Sequence, residues 1–176
     1  MRVFSEGEGL GSTFSVSLPL MVLRSSIGDN KRAQQPEFKP PEFECPPELN
    51  GLRVLVVDDE ADTCELLKFI LEGCGAQVKT ASSAAAALEA VVEEEYDILI
   101  SDLRMPGEDG YSLIAKVRAL GKERGGKVPA AAALTAYVGE EDRIRVLQSG
   151  FQMHVPKPVS PSELVAVVAN LAGRTE

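Results

Sequence analysis

The sequence predicts an α/β fold: a doubly wound, five-stranded parallel sheet preceded by an N-terminal extension. From Leu52 onward, short continuous apolar runs alternate with amphipathic helical stretches five times over. Runs without polar alternation suit strands buried on both faces, and a parallel sheet covered by helices is the architecture that buries them. Four of these runs stop on polar or charged residues rather than on turn formers: Asp58 and Asp59, Asp102, Thr135, and Lys157.

Element by element, "RVLVV" is the first strand of the alternation. The helix after it carries Leu66, Leu67, Ile70, Leu71 and Cys74 as an apolar stripe and closes at Gly75. "AQVKT" is a strand, and "SSAAAALEAVVEEE" is a helix capped by Ser82 or Ser83. "YDILIS" is a strand, followed after the "MPGEDG" turn by the helix "YSLIAKVRAL". "VPAAAALT" has poor β-propensity, and only its place in the alternation marks it as a strand. The helix "EEDRIRVLQSG" and the strand "FQMHV" follow, and a last helix opens on a capping box of Ser160, Pro161 and Glu163.

Before this lie two other regions. Residues 1–20 hold a Gly-rich turn and the alternating strand "STFSVSLPL", in which Phe14, Val16 and Leu18 are the apolar members. Read naively, Gly7, Gly9 and Gly11 form a phosphate loop, but no strand precedes them and no helix follows, so a hairpin turn is the better reading. Residues 21–50 carry Pro36, Pro40, Pro41, Pro46 and Pro47 among polar residues and read as a linker. The domain built by the alternation spans 51–174.

Composition narrows the function. The 176 residues are 44% hydrophobic and 26% charged, with net charge −9 and a pI near 4.8. Nucleic acids and anionic membranes require a basic footprint, so neither is expected as a direct partner. No apolar run approaches the about 20 residues of a membrane span, and no signal peptide opens the chain. Cys45, Cys64 and Cys74 lack metal-ligand spacing, so Cys64 and Cys74 read as small buried hydrophobes and the compartment as the reducing cytoplasm.

The tip residues define the chemistry. In an open parallel sheet, ligands bind outside the carboxyl ends of the strands, and all of these residues fall there. Three carboxylates and one ammonium sum to −2, so Asp58, Asp59 and Asp102 repel one another unless a cation intervenes. One divalent ion restores neutrality, and an oxygen-only ligand set favours Mg2+. A carboxylate held against Mg2+ can attack a phosphoryl group and become an acyl phosphate. Asp102 is then the nucleophile and Asp58 and Asp59 are metal ligands, while Lys157 and the Thr135 hydroxyl take up charge on the transferring oxygens. Taken singly, "DDE" is a solvated helix start, "LTAY" is uninformative and "KP" is an ordinary turn; the conjunction in order is what carries weight.

Residues 52–172 resemble a response regulator receiver domain. "VLVVDDE" resembles its acidic pair, "DILISDLRMPGEDG" its phosphoacceptor loop, "LTAY" its switch hydroxyl and "PKPV" its lysine. The resemblance implies a flavodoxin-like sheet of order 2-1-3-4-5. It also implies transfer of a phosphoryl group from a phosphohistidine-bearing kinase or phosphotransfer domain to Asp102. The backbone carbonyl of Arg104 then completes the metal site, and Thr135 and the aromatic position three before the lysine form the switch. That position holds His154, where the family more often has Tyr or Phe. Pro156 precedes Lys157 in the last strand, which suits an edge, and the Lys157–Pro158 peptide is implied to be cis.

"SEGEGLGSTFSVSLPL" resembles the last strand pair of a histidine-kinase ATP-binding domain, which makes the chain the C-terminal end of a hybrid sensor kinase whose parent is open to membrane anchoring. Two other functions compete. An aspartyl-nucleophile phosphohydrolase needs an acid two residues after the nucleophile, where Arg104 stands. A docking-only pseudo-receiver should have lost the acidic pair, acceptor or lysine, and none is lost. The only histidine is His154, so the chain itself is no histidine kinase and no stand-alone enzyme is expected. Phosphorylation-dependent dimerisation is left open.

Overall fold

The computed structural model describes residues 2–5, 12–15, 45–125, 127–136 and 140–173. The chain divides into two compact units, Met1–Pro40 and Pro41–Glu176. In the first, β1 (Arg2–Ser5) and β2 (Ser12–Ser15) pair antiparallel, Arg2 opposite Ser15 and Ser5 opposite Ser12. The two strands form an antiparallel pair; Gly7, Gly9 and Gly11, on which the hairpin-turn reading rests, and Val16 and Leu18 lie outside the described residues.

The second unit contains β3 (Arg53–Val57), α1 (Ala61–Gly73), β4 (Gln77–Ala81), α2 (Ala84–Glu93), β5 (Ile98–Asp102) and α3 (Gly110–Arg124). β6 (Ala130–Thr135), α4 (Glu140–Gln148), β7 (Met153–Pro156) and α5 (Pro161–Ala172) complete it. All pairings are parallel and the order is β4-β3-β5-β6-β7, which is 2-1-3-4-5 counted within this sheet. Among the described residues no helix is long and apolar enough to cross a membrane.

Side chains alternate across the sheet, and both faces are dry. Val54, Val56, Ile100 and Leu134 join Leu67, Leu71, Leu164 and Leu171 under α1 and α5. Leu55, Val57, Leu99, Ala131 and Ala133 join Ala87, Leu113, Ile114 and Val146 under α2, α3 and α4. This two-sided burial explains the continuous apolar strands. It also explains β6: six residues are short for a helix, and here they sit between β5 and β7 with every side chain buried. Tertiary pairing overrides alanine's helical preference.

Several local expectations are refined. Ser83 is the α2 cap, accepting from Ala86 N–H at 3.2 Å. β7 is an edge strand, so Pro156 forfeits no ladder bond. Leu66, expected on the buried stripe of α1, is 48% exposed; Cys64, Leu67, Ile70 and Leu71 form the buried face instead. The Ser160 capping box is not formed. Ser160 sits at the N-cap without a side-chain cap bond and its Oγ lies 3.0 Å from Ser162 Oγ.

The cysteine reading needs correction. Cys64 is buried and free, but Cys45 and Cys74 form a disulfide with a Cα–Cα distance of 5.1 Å. Spacing could not reveal it, because the two are brought together only when the chain after Cys45 folds onto the domain. Leu49, in a 3-10 turn at Pro47–Leu49, is fully buried beside α5, and Gly51 N–H donates to Gly75 O at 2.8 Å. Cysteine usage therefore gives no argument for a reducing compartment, and the expected linker ends before Cys45.

The disulfide spans a sequence separation of 29, for which loop-closure entropy gives roughly 3.6 kcal/mol. Reduction, or Cys45→Ser, is expected to lower the urea-unfolding free energy by about that amount. Removing residues 1–44 is expected to leave it unchanged within error. An equal midpoint for oxidised and reduced protein would contradict the bridge's stabilising role.

Candidate functional site

The sheet order brings the tips of β3, β5, β6 and β7 side by side. Val57 is in register with Ser101, Asp102 with Leu134, and Thr135 with Pro156, so the residues at or just past these ends face one crevice. Asp58 is fully buried and Asp102 and Thr135 nearly so, while Asp59 is exposed. A cleft of about 400 Å3 opens there, lined by Asp59, Asp102, Arg104, Thr135 and Lys157 among others.

Lys157 is the centre of the arrangement. Its Nζ donates to Asp58 Oδ2 at 2.8 Å and to Asp102 Oδ2 at 2.7 Å. The backbone aims it: Lys157 N–H donates to Thr135 O at 2.7 Å, continuing the β6–β7 ladder, and the following Lys157–Pro158 peptide is cis, as expected. The remaining carboxylate oxygens are also held. Glu60 N–H donates to Asp58 Oδ1 at 3.0 Å, and Arg104 N–H to Asp102 Oδ1 at 3.2 Å.

The electrostatics leave the site short of positive charge. Burial pushes the Asp58 carboxyl above the ordinary carboxylate range, and neighbouring Asp102 adds to this, against the pull of Lys157 and of the Glu60 amide. Burial also works against the Lys157 ammonium, but Asp102 and Asp58 outweigh it and raise its pKa. Oxygens of Asp58, Asp59 and Asp102 all lie within 4.8 Å of one another. An all-oxygen cluster, crowded and over-negative, is the donor set of a hard divalent cation, so these residues fit a metal of the Mg2+ type.

The acceptor loop is built to keep this geometry. Asp109 caps α3, its carboxylate accepting from Ser112 N–H at 2.8 Å, and Gly107 takes a φ of +84°, which favours glycine. Gly110 N–H donates to Leu103 O at 3.1 Å, and its own Cα lies so close that a Cβ would run into the Asp102 carbonyl oxygen, with Leu103 Cα at 3.0 Å. Helix α3 thus rests directly on the backbone that carries Asp102.

Of the residues singled out in the sequence, Asp58, Asp102 and Lys157 are in direct contact, and Asp59, Arg104 and Thr135 line the same cleft. His154, half-buried in β7, is not among the cleft-lining residues. Sequence reading missed Gly110, Tyr111 and Arg145. The last two also line the cleft, with the Arg145 guanidinium 4.7 Å from the Tyr111 ring centroid. The Asp-Gly pair at a helix start was a usable signal for Gly110; nothing in the sequence joins Tyr111 to Arg145.

Because all three close contacts at Gly110 are backbone atoms, Gly110→Ala is expected to destabilise the fold by about 1–3 kcal/mol, the usual range for overpacking. It should also shift the Asp102 and Leu103 amide resonances. Urea unfolding and backbone NMR check this; an unaltered midpoint and spectrum would show the contact to be soft.

Comparison with known proteins agrees with this geometry. The family model described as "Response regulator receiver domain" matches residues 54–169. An uncharacterised 14.6 kDa protein of Leptolyngbya boryana is 48% identical over 120 residues, covering 68% of this chain and 89% of that protein. The sensor histidine kinase GacS of Pseudomonas protegens is 36% identical over 121 residues, 69% of this chain but 13% of its own length. The sensory/regulatory protein RpfC of Xanthomonas campestris is 29% identical over 187 aligned residues, covering 98% of this chain and 26% of that protein. Among solved structures, a Francisella response regulator receiver domain superposes with a TM-score of 0.64 at 28% identity, covering 72% of this chain and all of that one. With the strand order, the acidic cluster and the lysine bridge already in place, these matches lead to one conclusion: the chain belongs to the response regulator receiver domain family of two-component signalling.

Proposed function

We propose that this domain is a phosphoacceptor, taking a phosphoryl group from a phosphohistidine partner onto Asp102. The observation that carries the reading is the Lys157 ammonium held between Asp58 and Asp102 at the mouth of the sheet. An Asp102 oxygen attacks phosphorus, the P–N bond to the donor imidazole breaks with its electron pair returning to nitrogen, and an acyl phosphate forms. Asp58, Asp59, Asp102 and the Arg104 carbonyl would hold a Mg2+ ion, which would supply charge neutralisation at the acceptor. Lys157, already charged and aimed at Asp102, accepts the developing negative charge of the phosphoryl oxygens, and the Thr135 hydroxyl is the second donor. Thr135 and His154 then carry the conformational switch.

The same reading makes the chain one part of a phosphorelay rather than a free-standing enzyme, phosphorylated also by small phosphodonors and slowly losing the group again. Its partner is a kinase or phosphotransfer domain bearing phosphohistidine, and its compartment the cytoplasm. We take residues 1–20 as the last strand pair of a kinase ATP-binding domain, the part of 21–50 before Cys45 as linker, and 51–174 as the receiver, with residues 45–50 packed against it. The β1–β2 strand pair and the alignment covering 98% of the chain against the Xanthomonas sensory/regulatory protein support a hybrid kinase as the parent.

Incubation of the purified chain with acetyl phosphate and Mg2+ tests the proposal. Wild type is expected to gain one phosphoryl group, Asp102→Asn none, and Asp59→Ala almost none with its Mg2+ titration response lost. Undiminished labelling of Asp102→Asn, or full labelling in excess chelator, would overturn the assignment.

A further inference from the structure

We propose that Arg145 is a further cation for the phosphoryl group, resting on the Tyr111 ring at the cleft rim until that group arrives. The inference builds on the phosphoacceptor reading and extends its charge count. Asp58, Asp59, Asp102 and Lys157 sum to −2, and one divalent ion brings the cluster to neutrality. Phosphorylation replaces the single charge of Asp102 by a group carrying roughly −1.5 to −2 at neutral pH. The occupied site is therefore again negative. A further cation facing the cleft lowers the energy of the phosphorylated form.

Two arginines line the cleft, Arg104 and Arg145. Arg104 rides on the same loop as the acceptor, two residues away. Arg145 stands on α4 and lines the same cleft as Asp102, Tyr111, Thr135 and Lys157. Its guanidinium lies 4.7 Å from the Tyr111 ring centroid, and the ion pairs among the described side chains do not include it. Arg145 is exposed, and an exposed cation–π contact is a weak hold. A guanidinium–phosphoryl contact is charge-assisted and bidentate in geometry, hence stronger. The ring thus keeps the guanidinium extended at the rim without binding it tightly, and arrival of the phosphoryl oxygens draws it, and the α4 turn that carries it, toward Asp102.

The test compares wild type, Arg145→Gln and Arg145→Lys as full chains. It measures the acetyl phosphate concentration for half-maximal labelling rate, the lifetime of the phosphorylated form after donor removal, and Mg2+ affinity. Loss of one charged contact to the phosphoryl group predicts about a tenfold rise in half-saturating acetyl phosphate for Arg145→Gln. Arg145→Lys should fall between, because the charge returns without the planar fork, and Mg2+ affinity should stay the same in all three. A half-saturation and lifetime for Arg145→Gln within twofold of wild type would overturn the proposal. Equal losses in Mg2+ affinity and labelling would also overturn it, as they would assign Arg145 a structural role. If wild type itself gains no phosphoryl group, the phosphoacceptor reading fails, an outcome separate from either result for Arg145.

Discussion

One ammonium group, Lys157 Nζ, touches the carboxylate just past β3 and the carboxylate that ends β5 at hydrogen-bond distance, although its own backbone directly follows β7, two strands beyond β5. The reach crosses β6, and it requires the carboxyl ends of β3, β5 and β7 to lie along one edge of the sheet, as parallel strands place them. The lysine bridge and the sheet topology are therefore one constraint seen twice. Without the ammonium, Asp58 and Asp102 would share a buried edge as unpaired like charges, and leaving either uncompensated is severely destabilising. Without the topology, the ammonium would have nothing to bridge.

This constraint also sets what the crevice can do. Burial and mutual repulsion hold the Asp58 carboxyl above its ordinary range even with Lys157 present, so the resting cluster stores an unsatisfied demand for positive charge. Such a demand is met by a hard cation and by whatever other cations reach the cleft. On the proposed reading, chemistry at Asp102 raises the demand again. The backbone beneath it is correspondingly stiff: α3 begins on a glycine pressed against the Asp102 carbonyl oxygen, and β5 is buried along its whole length.

The alternation from Leu52 made the sheet legible, because two-sided burial writes itself as continuous apolar runs, and Val54–Val57 and Ile98–Ile100 follow that rule. The cluster of Asp58, Asp59, Asp102 and Lys157 was legible for a related reason: polar residues ending apolar strands in a parallel sheet converge by geometry. Other features depend on contacts that leave no local trace. The Cys45–Cys74 bridge joins a proline-rich stretch to the end of α1, and composition alone read that stretch as linker while Leu49 was already part of the core. Leu66 and Leu67 are adjacent leucines, and helical periodicity did not say which one faced the sheet. Ser160 had the residues of a capping box but spends its hydroxyl on Ser162. The pairing of Tyr111 with Arg145 crosses from α3 to α4 and has no sequence signature.

The central claim is that a single carboxylate, at the tip of β5, becomes the acyl phosphate. Acyl phosphates are reduced by borohydride to the corresponding alcohol, which converts a phosphorylated aspartate to homoserine and leaves free carboxylates untouched. Wild-type chain treated with acetyl phosphate and Mg2+, reduced, digested and sequenced by mass spectrometry is predicted to carry homoserine at position 102 and at no other. Homoserine at position 58 or 59, or at several carboxylates in comparable yield, would contradict the account.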